Sequence, residues 1–149
     1  MNLLVIFRDL RCFKTTDDFF EGSDDEVTLR IIGQNGPLGR ITEIVGLGET
    51  NVGTIAKGQT RHFGVTVFNG DAERFDFIRF FFFDEDTLSD RDTLGTFTVS
   101  GKGGNIVWAA EQSSEDRGAS SDPEFAGFRE FFLNGREGEY SVFFTAELI

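Results

Sequence analysis

Short apolar runs alternate along the chain with residues that favour turns, and several runs place apolar residues at every second position. In the stretch RFDFIRF, Phe75 and Phe77 share one face, while Ile78 and Phe80 share the other. A period of two residues is typical of a β-strand whose two faces differ in burial. Because no segment carries a sustained apolar stripe with helical spacing, the pattern predicts an all-β chain.

Nine runs fit the length and composition of β-strands, being rich in Phe, Val, Ile and Thr. They predict an antiparallel β-sandwich of eight or nine strands, in which two sheets pack face to face. One sandwich accounts for the whole chain, so we expect a single domain over residues 1–149. The predicted strands are 3–13, 26–33, 40–47, 61–68, 74–83, 93–100, 105–111, 128–133 and 139–148.

Two sequence features predict connections between these strands. Asn69-Gly70 and Asn134-Gly135 each lie between apolar runs, and an Asn-Gly pair is the strongest short-range indication of a tight hairpin. The segment 112–127 (QSSEDRGASSDPEFAG) is polar and carries no strand pattern, so we expect a long loop there.

The composition agrees with a β-rich chain and excludes some partners. Phe occurs 19 times, Gly 18 times and Pro only twice, which suits pleated sheets joined by turns. The net charge of −12 at pH 7 argues against nucleic-acid binding, because no basic patch is present to replace the counterions of phosphates. The same charge disfavours direct attraction to an anionic membrane unless a bound cation neutralises the acids.

The start of the chain and its cysteine content bear on cellular location. The first residues lack the basic leader and cleavage site of a signal peptide, and no apolar run reaches the length of a transmembrane helix. Cys12 is the only cysteine, and its strand parity with Leu4, Ile6 and Leu10 predicts a buried structural thiol. These features favour an intracellular protein, cytoplasmic or peripheral to a membrane, although export without a leader also exists.

Candidate catalytic residues are sparse. His62 is the single histidine, and packing of the strand around TRHFG explains it at least as well as a catalytic role. The serines of segment 112–127 lack a nucleophile-elbow pattern, and GKGGN at 101–105 lacks the spacing of a phosphate-binding loop. The chain is therefore predicted not to be an enzyme.

Two acidic runs stand where apolar runs end. The first is TTDDFFEGSDDE (15–26) and the second is DEDTLSDRD (84–92). Each follows one predicted strand and precedes another, so each is predicted to form a loop at a sheet edge. If both loops lie at the same end of the sandwich, about ten carboxylates converge there. Two carboxylates about 4 Å apart repel by roughly 1 kcal/mol in water and roughly 4 kcal/mol at an effective dielectric constant near 20.

Repulsion of this size favours a bound divalent cation. Ca²⁺ accepts six to eight oxygen ligands in flexible geometry, whereas Mg²⁺ requires a tight octahedron. Zn²⁺ is disfavoured because Cys12 and His62, the only thiol and imidazole, are distant in sequence from both runs. The second run is not an EF-hand loop, since Leu88, Ser89 and Gly95 stand where an oxygen ligand, Gly and Glu are required. The sequence therefore predicts Ca²⁺ as the cofactor.

The spacing of the acids within each run is itself informative. Asp18 precedes Asp24 by six positions, and Asp24 follows a serine and opens the predicted strand VTLRI. The second run has aspartates at relative positions zero, two and eight, followed by an apolar residue and a glycine, namely Asp84, Asp86, Asp92, Leu94 and Gly95. These patterns resemble the first and third calcium loops of C2 domains, the calcium-dependent phospholipid-binding β-sandwiches.

The resemblance covers about residues 3–100 and implies both a topology and a ligand set. A strand before the first loop and a closing strand, EYSVFFTAELI, resemble the circularly permuted, type II arrangement of the family. The chain departs from the family where Asp25-Glu26 replaces the usual Pro-Tyr, and the pattern also resembles bacterial calcium-binding sandwiches. The side-chain calcium ligands that the resemblance implies are Asp18, Asp24, Asp84, Asp86 and Asp92, with Asp90 completing a second ion. The loop-tip residues that would contact a membrane or partner are Phe19, Phe20 and Leu88.

Several functions are compatible with these features. The resemblance implies a calcium-binding, non-catalytic module whose acidic loops coordinate Ca²⁺ and drive docking to a phospholipid membrane or a protein partner. The alternative is a calcium-stabilised structural or adhesive subunit that self-assembles without lipid, as a filament or surface polymer. A carbohydrate-binding module is disfavoured, because Trp108 and Tyr140 are the only Trp and Tyr available for stacking. The simplest alternative for both runs is a solvated acidic surface that binds no ion.

Overall fold

The computed structural model describes residues 1–16, 25–37, 39–85 and 92–149, with Asp92 described by its backbone alone. This part of the chain contains ten strands and three single-turn 3₁₀ helices, and none of its helices is long and apolar enough to cross a membrane. The 3₁₀ turns are Lys102–Gly104, Pro123–Phe125 and Gly135–Glu137. The strands are β1 (Asn2–Lys14), β2 (Asp25–Asn35), β3 (Glu43–Ile55), β4 (Thr60–Asp71), β5 (Phe77–Asp84), β6 (Asp92–Ser100), β7 (Val107–Ala110), β8 (Ser114–Ala119), β9 (Arg129–Leu133) and β10 (Glu139–Leu148).

The strands form two five-stranded sheets that pack face to face. The first sheet has the order β4-β1-β10-β9-β8, and the second has the order β3-β2-β5-β6-β7. Neighbouring strands are antiparallel in both sheets. The predicted all-β sandwich is confirmed, but the described residues contain ten strands rather than eight or nine.

The additional strand, β8, lies inside the segment 112–127 that the sequence predicted to be a loop. Its sequence, SEDRGA, offers no apolar alternation, because β8 is an edge strand whose side chains are mostly exposed. It pairs with β9 from Ser114 to Ala119, with a register shift between Asp116 and Gly118. The loop prediction was wrong because backbone pairing, rather than burial of side chains, forms this strand.

The strand predicted over 40–47 begins later and runs much further, as β3 over Glu43–Ile55. It contains Gly48 and Gly53, both with positive φ, and a register shift against β2 lies beside each of them. Such bulges are typical of sheet edges, which is where β3 lies. Glycines and bulges interrupt the period-two pattern, so the sequence prediction ended too early.

The two Asn-Gly pairs have different outcomes. Asn69-Gly70 lies within β4, which pairs with β1 rather than with the next strand β5, so the hairpin predicted there is wrong. Asn134-Gly135 begins the connection between β9 and β10, which pair with each other, so this hairpin is confirmed. Its connection is longer than a two-residue turn, because Gly135–Glu137 forms a 3₁₀ turn.

Phenylalanine side chains fill the space between the sheets. Phe80 and Phe82 of β5, Phe97 of β6, Phe131 of β9 and Phe144 of β10 are fully buried. The rings of Phe97 and Phe131 stack with centroids 4.0 Å apart, and Phe82 meets Phe144 edge-on at 6.2 Å. Ring pairs of this kind contribute ~0.5–1.5 kcal/mol beyond the burial of their area. The aromatic core therefore joins the sheets through the middle strand of each one, β10 and β5, and through the neighbouring strands β9 and β6.

The alternation in RFDFIRF is confirmed only in part. Ile78 and Phe80 face the core from β5, as predicted. Phe75 precedes β5, which begins at Phe77, and its ring lies over Gly33, where an added Cβ would come within 2.6 Å of the ring. Phe75 is therefore buried by the turn before the strand and by the glycine opposite, not by strand alternation.

Cys12 is buried, as predicted, but not through the predicted strand parity. Odd-numbered residues face inward from position 3 to position 7, so Leu4 and Ile6 lie on the other face of β1. A register shift between positions 7 and 9 against both neighbouring strands reverses this parity. Leu10 and Cys12 then face the core. The bulge, which alternation alone does not reveal, is the reason for the difference.

Candidate metal centre

Both acidic segments leave the sandwich at the same end. The first is bounded by the end of β1 at Lys14 and the start of β2 at Asp25, and the second by the end of β5 at Asp84 and the start of β6 at Asp92. β2 pairs with β5, with Val27 opposite Asp84, and Asp84 lies opposite Asp92. The stems of the two segments are therefore neighbours, and we call this end of the sandwich the acid end.

A buried polar junction joins the stems at the acid end. The Thr16 hydroxyl lies 2.7 Å from Oδ1 of Asp25 and 3.1 Å from Oδ2 of Asp84, so its single hydrogen is shared between two carboxylates. The backbone N–H of Thr16 donates to Oδ2 of Asp25 at 2.8 Å, and that of Glu26 donates to Oδ1 of Asp84 at 2.9 Å. Thr16, Asp25 and Asp84 are 5%, 3% and 1% exposed. The junction thus connects the two sheets beneath both acidic segments.

Tyr140 of β10 completes the polar junction from the core side. Its hydroxyl donates to Oδ2 of Asp25, and its side chain is fully buried. Burial raises the pKa of Tyr140, and the hydrogen bond to Asp25 raises that pKa further. The phenol therefore stays protonated and remains a donor, which a buried carboxylate requires.

Further contacts anchor the stem of the second acidic segment and the start of β6. The backbone N–H of Glu85 donates to the carbonyl of Glu26 at 2.8 Å, and the Thr28 hydroxyl lies 3.3 Å from Oε2 of Glu85. The turn after β9 packs against the start of β6 so closely that a Cβ on Gly135 would come within 2.1 Å of the Thr93 carbonyl oxygen. Both segments therefore start from backbone that is held by tertiary contacts.

Asp84 is the only predicted calcium ligand whose side chain the structure describes. Each of its carboxylate oxygens accepts one of the junction hydrogen bonds, and a carboxylate oxygen has two lone pairs, so these bonds are compatible with binding a cation as well. Among the described residues, no three His, Cys, Asp or Glu side chains are grouped to hold a metal. The other predicted ligands and contact residues lie outside the described residues, so the ligand set stays a prediction: Asp18, Phe19, Phe20, Asp24, Asp86, Leu88, Asp90 and the side chain of Asp92.

Sequence reasoning missed the residues that build the polar junction. Asp25 was counted among the acids but not as a structural residue, and Thr16 carries no signal that distinguishes it from other threonines. Tyr140 does carry a signal, because it is the only tyrosine in a chain with 19 phenylalanines and stands in an apolar strand. A tyrosine in such a place indicates a buried hydroxyl with a hydrogen-bond partner.

A second polar cluster lies on the outer face of the first sheet. Nδ1 of His62 contacts Oδ1 of Asp9, and Nε2 of His62 lies 3.7 Å from Oε1 of Glu124. Arg11 donates to Glu124 at 3.0 Å, and its guanidinium carbon lies 4.9 Å from the ring centroid of Phe125. The His62 side chain is 65% exposed, so burial in the strand does not explain it, contrary to the sequence interpretation. These contacts hold the loop 120–128 on the sheet.

Comparison with solved structures finds a similarity of architecture. No family model and no curated protein matches the chain. Among solved structures, a C2 domain of plant extended synaptotagmin 1 (its domain A) is similar, at 9% sequence identity and a TM-score of 0.36, over 99% of this chain and 95% of that chain. That structure belongs to the family that the spacing of the acids resembles. At this identity and TM-score, the similarity transfers no ligand, partner or site residue.

Proposed function

We propose that the chain is a calcium-binding, non-catalytic module whose two acidic segments hold Ca²⁺ at the acid end and thereby drive docking to a membrane or a protein partner. The polar junction carries this proposal, because it places the stems of both segments side by side. The segments 17–26 and 84–92 carry six and five acids against the single base Arg91. Neutralisation by a cation is the simplest way to accommodate this concentration of negative charge.

The ligands we propose are the aspartates that match the calcium-loop spacing. Ca²⁺ suits ligands that arrive from two separate connections, because its coordination is flexible, whereas Mg²⁺ retains its waters and requires an octahedron. Loop carbonyls and water would complete each shell. The proposed ligands are Asp18, Asp24, Asp84, Asp86 and Asp92, with Asp90 at a second ion, and the proposed contact residues are Phe19, Phe20 and Leu88.

The strand edges bear on the second candidate function, a calcium-stabilised subunit that self-assembles. Arg61 of β4 donates to the carbonyl of Thr54 and lies 3.5 Å from that of Val52, so its side chain covers part of the edge of β3. Bulges at Gly64 and Gly118 interrupt the edges of β4 and β8, and β7 has only 4 residues. Features of these kinds oppose edge-to-edge pairing. They favour docking through the acid end over polymerisation through strand edges.

Thermal unfolding tests the metal assignment. We expect millimolar Ca²⁺, but not Mg²⁺, to raise the melting temperature by about 5–10 °C relative to EGTA, because a ligand at about 100 times its Kd adds ~2.7 kcal/mol. Asp86→Asn combined with Asp90→Asn should remove most of this rise. The control, Glu115→Gln combined with Glu147→Gln, removes the same charge at positions outside the acidic segments and should keep it. An equal rise in both double variants would overturn the assignment.

Asp84 is left unchanged in this test, because its replacement would also break the polar junction. Vesicles that contain phosphatidylserine then separate the modes of docking. Calcium-dependent sedimentation with these vesicles supports membrane docking, and calcium-dependent light scattering without vesicles supports self-assembly. A calcium-induced rise in melting temperature with neither effect keeps the metal assignment and contradicts both membrane docking and self-assembly.

A further inference from the structure

The first sheet contains a step where β9 ends before its neighbour β10. β9 pairs with β10 only as far as Arg129 opposite Phe144, whereas β10 continues to Leu148. The chain before β9 turns away near Gly127, whose φ of 83° is favourable only for glycine. The residues 145–148 therefore have β1 on one side and no described strand on the other. We call this stretch of strand edge the step.

The backbone of the step presents donors and acceptors to an added strand. Asn2 of β1 and Ile149 exchange two backbone hydrogen bonds, each 2.8 Å long. Pairs of this kind alternate along an antiparallel ladder, so positions 147 and 145 also face β1. The N–H and C=O groups of Ala146 and Leu148 therefore point into the step, where the described residues give them no backbone partner. An extended chain is the ligand that matches such a row of groups.

A cavity of about 210 Å³ lies beside the step, between the two sheets. Its walls include Trp108 from β7 of the second sheet, Phe144 and Ala146 from β10, and Ala119 and Arg129 from the ends of β8 and β9. The rings of Trp108 and Phe144 meet edge-on with centroids 6.2 Å apart. An inward side chain of an added strand would enter this cavity beside Trp108, and the volume suits one large apolar side chain.

The outer side of the step carries one cation, Arg8 beside Thr145, and one exposed acid, Glu147, two positions further along β10. Nε of Arg8 on β1 donates to Oγ1 of Thr145 at 3.0 Å, and the guanidinium carbon lies 5.4 Å from the ring centroid of Phe128. Both partners are neutral, and no ion pair joins Arg8 to a carboxylate in the part of the chain that the structure describes. Arg8 therefore favours an acidic residue opposite Thr145 on the outward face of a bound strand, whereas Glu147 disfavours a second acid opposite itself.

We propose that the step binds an extended peptide segment of a partner protein, which adds to the first sheet as a strand beside β10 and places one acidic residue opposite Thr145. Alternate side chains of that segment point inward to Trp108 and outward to Arg8, so its apolar residues alternate with polar ones, of which the one opposite Thr145 is acidic. The other sheet edges are short, bulged or covered, whereas the step adjoins a cavity. The proposal goes beyond calcium binding, because the step lies toward the end of the sandwich opposite the acid end.

Selection from a displayed library of random heptapeptides tests this proposal. Peptides enriched on the wild-type protein should alternate apolar and polar residues, with one acid among the polar ones, and should bind Ala119→Phe roughly tenfold more weakly, because the added ring fills the cavity. Ala109→Phe places the same ring on an exposed residue of β7 outside the cavity walls and should keep the binding. The proposal is wrong if the enriched peptides bind both variants equally, or if no peptide is enriched over an unrelated protein.

Fluorescence gives a second readout at the step itself, because Trp108 is the only tryptophan. A selected peptide should shift the emission of Trp108 saturably, and the same peptide N-methylated at alternate backbone nitrogens should bind at least roughly tenfold more weakly. Arg8→Gln should weaken binding by roughly two- to fivefold. EGTA should leave the affinity unchanged, which separates this proposal from the calcium proposal. Equal binding of the methylated and unmethylated peptides would contradict strand addition.

Discussion

The two ends of the sandwich hold their carboxylates in different ways. At the acid end, the donors to the buried Asp25 and Asp84 include a hydroxyl, a phenol and two backbone N–H groups. At the opposite end, the partly exposed Glu43 and Asp76 each meet a basic side chain. The first arrangement depends on burial and hydrogen bonding, and the second depends on opposite charge. Loss of one contact should therefore be much more costly at the acid end.

The opposite end balances its charges with its own side chains. Arg74 donates to Glu43 at 2.7 Å, and the ammonium group of Lys102 lies 2.6 Å from Asp76. Asn35 links the two pairs, since its amide donates to Glu43 at 2.8 Å and its side-chain carbonyl accepts from the backbone N–H of Asp76 at 3.0 Å. The two acidic segments, in contrast, have one base between them in the sequence. This excess of negative charge within the segments is the reason for proposing a cation.

The largest expected effect of a substitution is at the shared hydroxyl of the polar junction. Thr16→Val keeps the shape of the side chain but removes the donor that lies between two buried carboxylates. We expect the free energy of unfolding without Ca²⁺ to fall by about 3 kcal/mol, because hydrogen bonds to charged groups contribute ~1.5–3 kcal/mol each. Urea denaturation in EGTA measures this loss.

Thr16→Ser is the matched control, because it keeps the hydroxyl and removes only a methyl group. We expect its cost to stay near 1 kcal/mol, the order of one lost methyl group. That methyl group lies close to Gly138, where an added Cβ would come within 3.3 Å of it. If Ser proves more costly than Val, packing of the methyl group against the turn after β9 holds the junction, and the shared hydrogen bond does not.

The next largest effect concerns Tyr140, which contacts the junction from the core. Tyr140→Phe removes the hydrogen bond to Asp25 and should lower the free energy of unfolding by about 2 kcal/mol. Burial first, and then this bond, raise the pKa of Tyr140 above its usual 10.0. Because folding raises this pKa, the protonated phenol contributes its full stabilisation of the fold below pH 10.0. That contribution is lost as the pH rises above 10.0. Tyr140→Phe should therefore lose less stability than the wild type in alkali.

Phenolate absorbance measures this titration directly, since Tyr140 is the only tyrosine. The folded wild type should show no phenolate until alkali unfolds it. Asp25→Asn removes the hydrogen bond to the carboxylate and should lower the pKa of Tyr140, while burial still keeps it above its usual value. An ordinary titration of the folded wild type near pH 10.0 would contradict the buried position of the phenol.

The sequence predicted the sandwich where its strands bury one face, and it failed where they do not. Phe80 and Phe82 face the core because β5 lies in the middle of a sheet. The edge strands β3 and β8 expose most of their side chains, so backbone pairing forms them without a matching apolar pattern. The bulge in β1 had the same effect on the parity of Cys12. Registers and bulges arise from contacts between strands, which a single run of residues does not contain.

The candidate site, too, could be predicted from the sequence only in part. Acid spacing alone identified two segments at strand ends, and the strand order brings their stems to one end of the sandwich. The polar junction could not be predicted, because Thr16 follows a strand of the first sheet, whereas Asp25 and Asp84 belong to the second. Only the packing of one sheet on the other makes these residues neighbours. Their types are those of ordinary surface residues, so composition gives no indication of their burial.

The smallest effect is expected at the opposite end. Arg74→Met removes an exposed ion pair, so the melting temperature should change only slightly and the change should disappear in about 0.5 M salt. The clearer signature is the pKa of Glu43, which the hydrogen bond from Arg74, and then the one from Asn35, hold below its usual 4.5. Arg74→Met should raise this pKa, and an NMR titration of the side-chain carboxyl carbon would measure the change.

The pH dependence at the opposite end has a definite sign. A carboxyl group whose pKa is lowered by folding stabilises the protein above its usual value, 4.5 for Glu43, and this stabilisation is lost as the pH falls through the lowered value. The wild type should therefore lose slightly more stability than Arg74→Met as the pH falls below 4.5. Thr16→Val should leave the titration of Glu43 unchanged, because the polar junction lies at the acid end. A shifted Glu43 titration in folded Thr16→Val would mean that the two ends are coupled through the sheets, and the difference in their chemistry could then not be treated as local.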